Sequence, residues 1–224
     1  MPPDRHHRRT HAFTLLELLT VVAILAILSG FAFGMIRGTK QRANIARSKA
    51  ELSHLVQALE EYKRFYGDYP QTGASVANSQ RVTNTSGAGQ TTAQARLFNA
   101  LVGVYAASNF NTRVNGPLLV DVTKVTPEVA LAANTFAVAS GSPPSKQPLA
   151  NSFVDPWGNR YMYFYKPAVP AGGRPAAWSA PAYVLYSCGP DGASTTLPNA
   201  LGIFTGTTQT TGDNADNIYA DKLQ

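Results

Sequence analysis

Residues 13–36 read FTLLELLTVVAILAILSGFAFGMI and contain one charged side chain, Glu17, in 24 positions. As an α-helix rising about 1.5 Å per residue, a segment of this length spans roughly 36 Å, which exceeds the hydrocarbon core of a bilayer at about 30 Å. The segment therefore predicts a transmembrane helix. Glu17 needs an explanation, because an unpaired carboxylate inside a membrane costs about 2–3 kcal/mol on insertion scales.

The residues before this segment, MPPDRHHRRTHA, are basic and leave three interpretations open. A basic leader before an apolar run is typical of a signal peptide, but the run is longer than the roughly 7–15 residues of that class. The second interpretation is an uncleaved membrane anchor. The five Lys/Arg of residues 37–49 outnumber the leader's three Arg, and this count alone would place the C-terminal part in the cytoplasm. The third interpretation is a leader, residues 1–12, that is cut between Ala12 and Phe13.

Glu17 favours the third interpretation. Cleavage before Phe13 would create an α-amine, cationic at neutral pH, one helical turn from Glu17 of the same chain or beside Glu17 of a neighbouring copy. At about 4 Å and an effective dielectric constant of about 20, such a pair gains about 4 kcal/mol. This gain would offset the cost of placing Glu17 in lipid, and between copies it would favour packing in register. The alternative is a carboxylate that stays protonated near the membrane interface.

Residues 37–66 are predicted to continue the helix as an amphipathic half. Apolar residues recur at three- and four-residue spacing and form one stripe. These residues are Leu52, Leu55, Val56, Leu59, Tyr62 and Tyr66. The charged residues, Glu51 among them, are assigned to the other faces. Gly67 is the expected C-cap, and Pro70 closes the segment.

Residues 67–224 are predicted to form a small head. Local composition and spacing indicate a Thr/Ser-rich exposed loop, a short helix, a strand and a Pro/Ser-rich linker. These lie, in that order, at residues 71–95, 96–105, 118–122 and 139–150.

Two turn motifs and two strands follow the linker. The sequence DPWGN at residues 155–159 is a turn, because Pro fixes φ and Gly and Asn tolerate unusual backbone angles. Residues 161–165, YMYFY, and 183–187, YVLYS, are rich in the aromatic and apolar side chains that strands favour, so each is predicted to form a strand. The sequence GPDG at residues 189–192 predicts a second turn directly after the later strand.

Composition excludes several classes of protein. The formal net charge is +6, but residues 1–66 hold ten Lys/Arg and five Asp/Glu, while residues 67–224 hold nine and eight. The head therefore has no basic excess of the kind that nucleic-acid binding needs. The single cysteine, Cys188, excludes an internal disulfide and a cysteine-based zinc site.

The stretch from Ala12 to Leu19, AFTLLELL, resembles the prepilin-type cleavage and methylation motif of type IV pilins and type II secretion pseudopilins. The resemblance extends to residues 58–70, ALEEYKRFYGDYP, and to the order of DPWGN, aromatic strand and GPDG, which is similar to the major pseudopilin. It covers residues 12–70 and 153–193 well and residues 194–224 loosely. One departure is Ala12, where the family normally has Gly.

The resemblance implies the fold and the function. The fold is α+β and pilin-like: a long N-terminal helix, part transmembrane and part amphipathic, packed on a small antiparallel sheet with an enlarged loop region. A prepilin peptidase would remove residues 1–12 and methylate Phe13, and Glu17 would act in filament assembly. The chain would be a single-pass bacterial inner-membrane protein with residues 67–224 in the periplasm. Its implied partners are further copies of itself, minor pseudopilins, and an assembly platform with a cytoplasmic ATPase.

The resemblance also implies a calcium site. In the major pseudopilin the loop after the last strand binds Ca²⁺ through Asp carboxylates and backbone carbonyls. The matching residues are Asp191, Asp213 and Asp216, while Asn217 stands where the family often has a second acid. Calcium takes about six to eight oxygen ligands, which a Gly-rich loop with several Asp can supply.

The sequence contains no motif for catalysis of the GxSxG, Walker, HExxH or CxxC kinds, so we expect a structural subunit rather than an enzyme. Two alternatives remain. One is a surface type IV pilin, although such pilins often carry a C-terminal disulfide that this chain cannot form. The other is an uncleaved, membrane-anchored binding protein that never polymerises.

Overall fold

A computed structural model describes most of the chain. The described residues are 14–72, 92–106, 112–131, 138–140, 144–166, 178–194, 197–199 and 201–220. The predicted leader 1–12 and Phe13 lie outside them, as does most of the predicted loop 71–95. The chain divides into two compact units, Met1–Arg42 and Ala43–Gln224.

The first element is a long helix, α1, at Leu15–Tyr66. Thr14 begins it, because its side-chain Oγ1 accepts a hydrogen bond from the backbone N–H of Glu17 at 3.2 Å. Gly67 ends it with a φ of 87° and donates its N–H to the carbonyl of Lys63 at 2.7 Å. The predicted Gly67 cap is therefore present, since a positive φ at this position suits Gly alone.

Within the described residues, no helix is long and apolar enough to cross a membrane. Phe13 lies outside the described residues, and so do the side chains of residues 31–36. The predicted transmembrane segment 13–36, and with it the division into 1–12, 13–36, 37–66 and 67–224, stays a prediction.

The second helix, α2, spans Ala93–Leu101, three residues earlier at its start and four earlier at its end than predicted. The Thr92 side chain caps its N-terminus by accepting from the N–H of Ala95 at 3.2 Å. Gly103 stops the helix with a φ of 81°, and a Cβ there would lie 2.4 Å from the carbonyl oxygen of Gly116. This close approach of two backbone segments excludes a continued helix to Tyr105.

Among the described residues, five short strands form two antiparallel sheets. The first pairs β1 (Val138–Ala139) with β2 (Ser145–Lys146). The second has the order β3-β4-β5, with β3 at Met162–Phe164, β4 at Val184–Ser187 and β5 at Ile218–Tyr219. The prediction of two strands after DPWGN is confirmed, each somewhat shorter than expected.

Two local predictions for the head were wrong. Residues 118–122 form no strand, because Asp121 turns the chain by accepting hydrogen bonds from the N–H and Oγ1 of Thr123 at 3.0 and 2.6 Å. The predicted linker 139–150 contains β2, which its Pro/Ser-rich composition did not indicate.

The apolar stripe of α1 packs on the three-stranded sheet and on α2. Leu52, Leu55 and Leu59 are fully buried with Tyr62. They share one core with residues of α2, of the 153–165 segment and of β4 and β5, among them Phe98, Leu101, Phe153, Tyr161, Tyr163, Leu185 and Ile218. The predicted fold class, α+β with a long N-terminal helix on a small antiparallel sheet, is confirmed.

One charged residue of α1 faces this core against expectation. Glu51 is 3% exposed and accepts hydrogen bonds from Tyr161 Oη at 2.8 Å and Arg47 Nε at 2.8 Å. A carboxylate is tolerated there because both of its oxygens are paired. The structure thus corrects the assignment of Glu51 to a solvent-facing side.

Candidate functional site

Glu17 lies in the first turn of α1 with its side chain exposed. Its backbone N–H is bonded to the carbonyl and the Oγ1 of Thr14, at 3.1 and 3.2 Å. Negative charge in the first turn of a helix is favoured by the helix dipole. Ala12 and Phe13 lie outside the described residues, so the predicted cleavage and methylation site stays a prediction.

The helix around Glu17 presents a continuous apolar surface, defined here by the large side chains between Leu15 and Leu28. Each of them is between 48% and 83% exposed. They are Leu15, Leu16, Leu18, Leu19, Val21, Val22, Ile24, Leu25, Ile27 and Leu28. Contiguous exposed apolar surface of this kind marks a protein or membrane contact. Among the described residues, these ten side chains surround Glu17 with exposed apolar surface.

A second candidate site lies at the acidic turn, which comprises residues 189–192 and carries Asp191. The N–H of Asp191 donates to Oδ2 of Asp216 at 3.2 Å, and its Oδ1 accepts from the N–H of Ala193 at 2.8 Å. Gly189 packs against Asp216 so closely that a Cβ there would lie 2.5 Å from the Asp216 carbonyl oxygen. The fold thus brings Asp191 and Asp216 together from two loops.

Electrostatics at this pair favour a positive partner. Burial raises the pKa of Asp216, the hydrogen bond from the Asp191 N–H opposes this, and the charge of Asp191 raises the pKa again. Two carboxylates at one place disfavour each other's charged form unless a cation lies between them. An oxygen-only donor set of this kind suits a hard cation such as Ca²⁺.

The third predicted ligand, Asp213, is placed differently. It is exposed on a 3₁₀ helix, Gly212–Asn214. Among the described residues, no group of three or more His, Cys, Asp or Glu is close enough to hold a metal ion. The structure therefore joins two of the three predicted acids, and the calcium site stays a prediction.

Asn217 adds an oxygen that the sequence did not single out as a donor. Its Oδ1 is buried and has no hydrogen-bond partner, while its Nδ2 lies 3.4 Å from Ser194 Oγ and 3.2 Å from Asn214 Oδ1. An orphaned buried oxygen next in sequence to Asp216 fits a further ligand to a cation. Sequence reasoning treated this Asn only as a lost acid.

Comparison with known proteins identifies the N-terminal region. Residues 7–33 match the family described as the prokaryotic N-terminal methylation motif. The matched segment contains Ala12, Phe13 and Glu17. The predicted resemblance to type IV pilins and pseudopilins is confirmed.

Three curated relatives of the chain carry one name, type II secretion system core protein G. The chain is 35% identical to the protein of Aeromonas hydrophila over 65 residues, which is 29% of this chain and 46% of that protein. It is 37% identical to the Vibrio cholerae protein over 65 residues, 29% of this chain and 44% of that one. For Pectobacterium carotovorum the identity is 33% over 64 residues, 29% of this chain and 41% of that protein.

The chain thus matches less than half the length of these curated relatives. No solved structure matches the chain.

Proposed function

We propose that this chain is a structural subunit of a type II secretion pseudopilus. The observation that carries the proposal is the methylation motif at residues 7–33, which overlaps the start of α1 where ten large apolar side chains are exposed. The relatives named core protein G of type II secretion systems support the same function. Such a helix can bury its apolar surface against copies of itself, at about 25 cal/mol per Å².

Processing and assembly follow from the motif. A prepilin peptidase cuts between Ala12 and Phe13 and methylates Phe13, whose α-amine then pairs with Glu17 of a neighbouring subunit. Ala12 keeps the small residue before the cut, although the family normally has Gly there. The exposed carboxylate of Glu17 is consistent with a partner outside its own helix.

Before assembly the mature chain is held in the bacterial inner membrane as a single-pass protein with its head in the periplasm. Residues 13–36 supply the span. An assembly platform, driven by a cytoplasmic ATPase, extracts subunits and stacks them together with minor pseudopilins. Nucleic acid is no partner in this proposal.

Substitution of Glu17 tests the assembly role. Glu17→Ala should abolish filament formation, measured as sedimentable polymer sheared from cells, while the amount of subunit in membranes is unchanged. Glu61→Ala is the control, because Glu61 is an acid on the same helix whose side chain is 44% exposed. If Glu17→Ala cells yield as much sedimentable polymer as wild-type cells, the proposal is wrong.

The proposal assigns no catalysis to the chain, and the one thiol supports this. Cys188 is buried, and its burial, with the charges of Asp155, Asp191 and Asp216 nearby, raises its pKa to about 12. The nucleophilic thiolate is therefore negligible at neutral pH.

We also propose that Asp191 and Asp216 hold Ca²⁺ in the head, with Asn217 Oδ1 as a further donor. Asp213 would join them only after a rearrangement of the loop that carries it. Calcium would neutralise the paired carboxylates and tie the acidic turn to the residues before β5.

Chelation should lower the Tm of the full chain in detergent. An Asp191→Asn, Asp216→Asn double variant should lose this response, and Asp121→Asn, at an exposed acid elsewhere on the head, should keep it. If chelation leaves the wild-type Tm unchanged, the calcium site is excluded.

A further inference from the structure

We infer that the DPWGN turn is a positioning element for the acidic turn, with Asp155 and Asn159 as the positioning residues that set Asp191 against Asp216. The two motifs are separated by 30 residues between Asn159 and Gly189, and the structure joins them through contacts of Asn159 with Gly189 and Gly192. The inference depends on the proposed calcium site only for the identity of the ion that Asp191 and Asp216 would bind. The hold on Gly189 consists of contacts between residues of this chain.

Asn159 holds the carbonyl of Gly189. Its side chain is 1% exposed, and its Nδ2 donates to the Gly189 carbonyl oxygen at 3.1 Å. The same oxygen accepts the N–H of Gly192 at 3.3 Å, which closes the acidic turn. Loss of the Asn159 amide would therefore remove one of the two hydrogen bonds made to this oxygen.

Asp155 holds the N–H of Gly189 through Ser187. The Ser187 Oγ donates to Asp155 Oδ2 at 2.6 Å and accepts from the Gly189 N–H at 3.1 Å. A serine hydroxyl has a single proton, so giving it to Asp155 leaves the lone pairs of the hydroxyl for Gly189. Asp155 is itself fixed, because its Oδ1 accepts from the N–H groups of Trp157 and Asn159 at 3.0 and 2.9 Å.

Gly189 is in turn in direct contact with Asp216. Its φ is 69°, and a Cβ built on it would lie 2.5 Å from the Asp216 carbonyl oxygen and 2.7 Å from Oδ2. Because the two residues touch, fixing Gly189 fixes the acidic turn relative to Asp216.

The Asn159 side chain also packs against Gly192 of the acidic turn. A Cβ on Gly192 would lie 2.5 Å from Asn159 Oδ1, an oxygen that is buried and has no hydrogen-bond partner. Burying an unpaired amide oxygen costs free energy, which the bond to Gly189 and the packing against Gly192 offset. Asn159 and Gly192 thus form one contact between the two motifs.

Hydrogen exchange on the full chain in detergent tests the positioning. In Asn159→Ala, the amides of Gly192 and Ala193 should exchange about tenfold faster, as expected for the loss of one buried hydrogen bond. Asn151→Ala is the matched control, because Asn151 is 2% exposed and holds the N–H and carbonyl of Val129 in the same manner, at 2.9 and 2.8 Å. Unchanged exchange at Gly192 and Ala193 in Asn159→Ala, or the same acceleration in both variants, would overturn the inference.

Calcium titration of the same proteins separates this inference from the calcium proposal. Asn159→Ala should bind Ca²⁺ about tenfold more weakly than wild type, and Asn151→Ala should bind as wild type does. If wild type binds no calcium but Asn159→Ala shows faster exchange, the calcium site fails and the positioning of the turn stands. If Asn159→Ala matches wild type in both affinity and exchange, the positioning fails and the calcium site stands.

Discussion

At the scale of single residues, the buried charge of Glu51 shows what spacing can and cannot predict. The apolar stripe through Leu52, Leu55 and Leu59 was visible because its period is that of a helix. The burial of Glu51 was not, because its partner Tyr161 lies 110 residues further along the chain. Only the fold brings the phenol to the carboxylate, and without it Glu51 looks like any charged helix residue.

Removing this carboxylate should be costly. Glu51→Ala removes the buried acceptor of the Tyr161 hydroxyl and the partner of Arg47, and it should lower the free energy of unfolding by about 3 kcal/mol. Glu61→Ala on the same helix breaks only the exposed pair with Arg64, 3.5 Å long, and should cost less than about 0.5 kcal/mol. Urea unfolding of the full chain in detergent, followed by near-ultraviolet circular dichroism, measures both. Equal losses would show that Glu51 is not a partner in the core.

Asp68 gives the head a pH dependence in acid. Burial pushes its pKa up, but hydrogen bonds from Lys166, Tyr165 and the Tyr69 N–H outweigh this and hold the pKa below its usual value. A depressed folded-state pKa adds stability that is complete above the unfolded pKa of about 4 and is lost as the pH falls through the folded pKa.

The free energy of unfolding should therefore fall more steeply below about pH 4 in wild type than in Asp68→Asn. Urea titrations at a series of pH values measure the two slopes. Parallel curves for the two proteins would show that the contacts of Asp68 contribute nothing to this dependence.

At the scale of elements, prediction from sequence succeeded where a segment carries its own signal. The long helix has a clear apolar stripe, a Gly cap and a following Pro, and its end at Tyr66 was predicted. The predicted position of helix α2 was wrong by three to four residues. Its end depends on the approach of Gly116 to Gly103, a contact between segments that no local sequence pattern indicates. The strand pair β1–β2 was missed, since two residues per strand are too few to show alternation.

The acidic turn offers a paired test of this kind of contact. Gly189→Ala imposes both a left-handed φ of 69° and a clash with Asp216, whereas Gly206→Ala imposes a φ of 62° with no atom within 4 Å. The Gly206 variant should lose about 1 kcal/mol of unfolding free energy, and the Gly189 variant clearly more. Thermal unfolding of the two full-length variants and the wild type measures both losses. If the two substitutions cost the same, Gly189 does not pack against Asp216 as described.

At the scale of the whole molecule, the motifs indicated the pilin-like fold, and the structure shows how two of them are joined. The sequence presented DPWGN and GPDG as separate turns, and the hydrogen bonds to Gly189 connect them. The resemblance to the major pseudopilin was enough to predict that Asp191 and Asp216 lie close together. The exposed position of Asp213 could not be foreseen, because the loop before it has no pattern that fixes its path.

The central claim is that the chain is processed into a filament subunit, and the intact mass and N-terminal residue of the protein from its native membranes test this most directly. We predict a mature chain that begins at N-methyl-Phe13, which would give Glu17 the cationic partner it needs for assembly. A chain that still begins at Met1 would contradict the account, and the protein would then be an anchored one that does not polymerise.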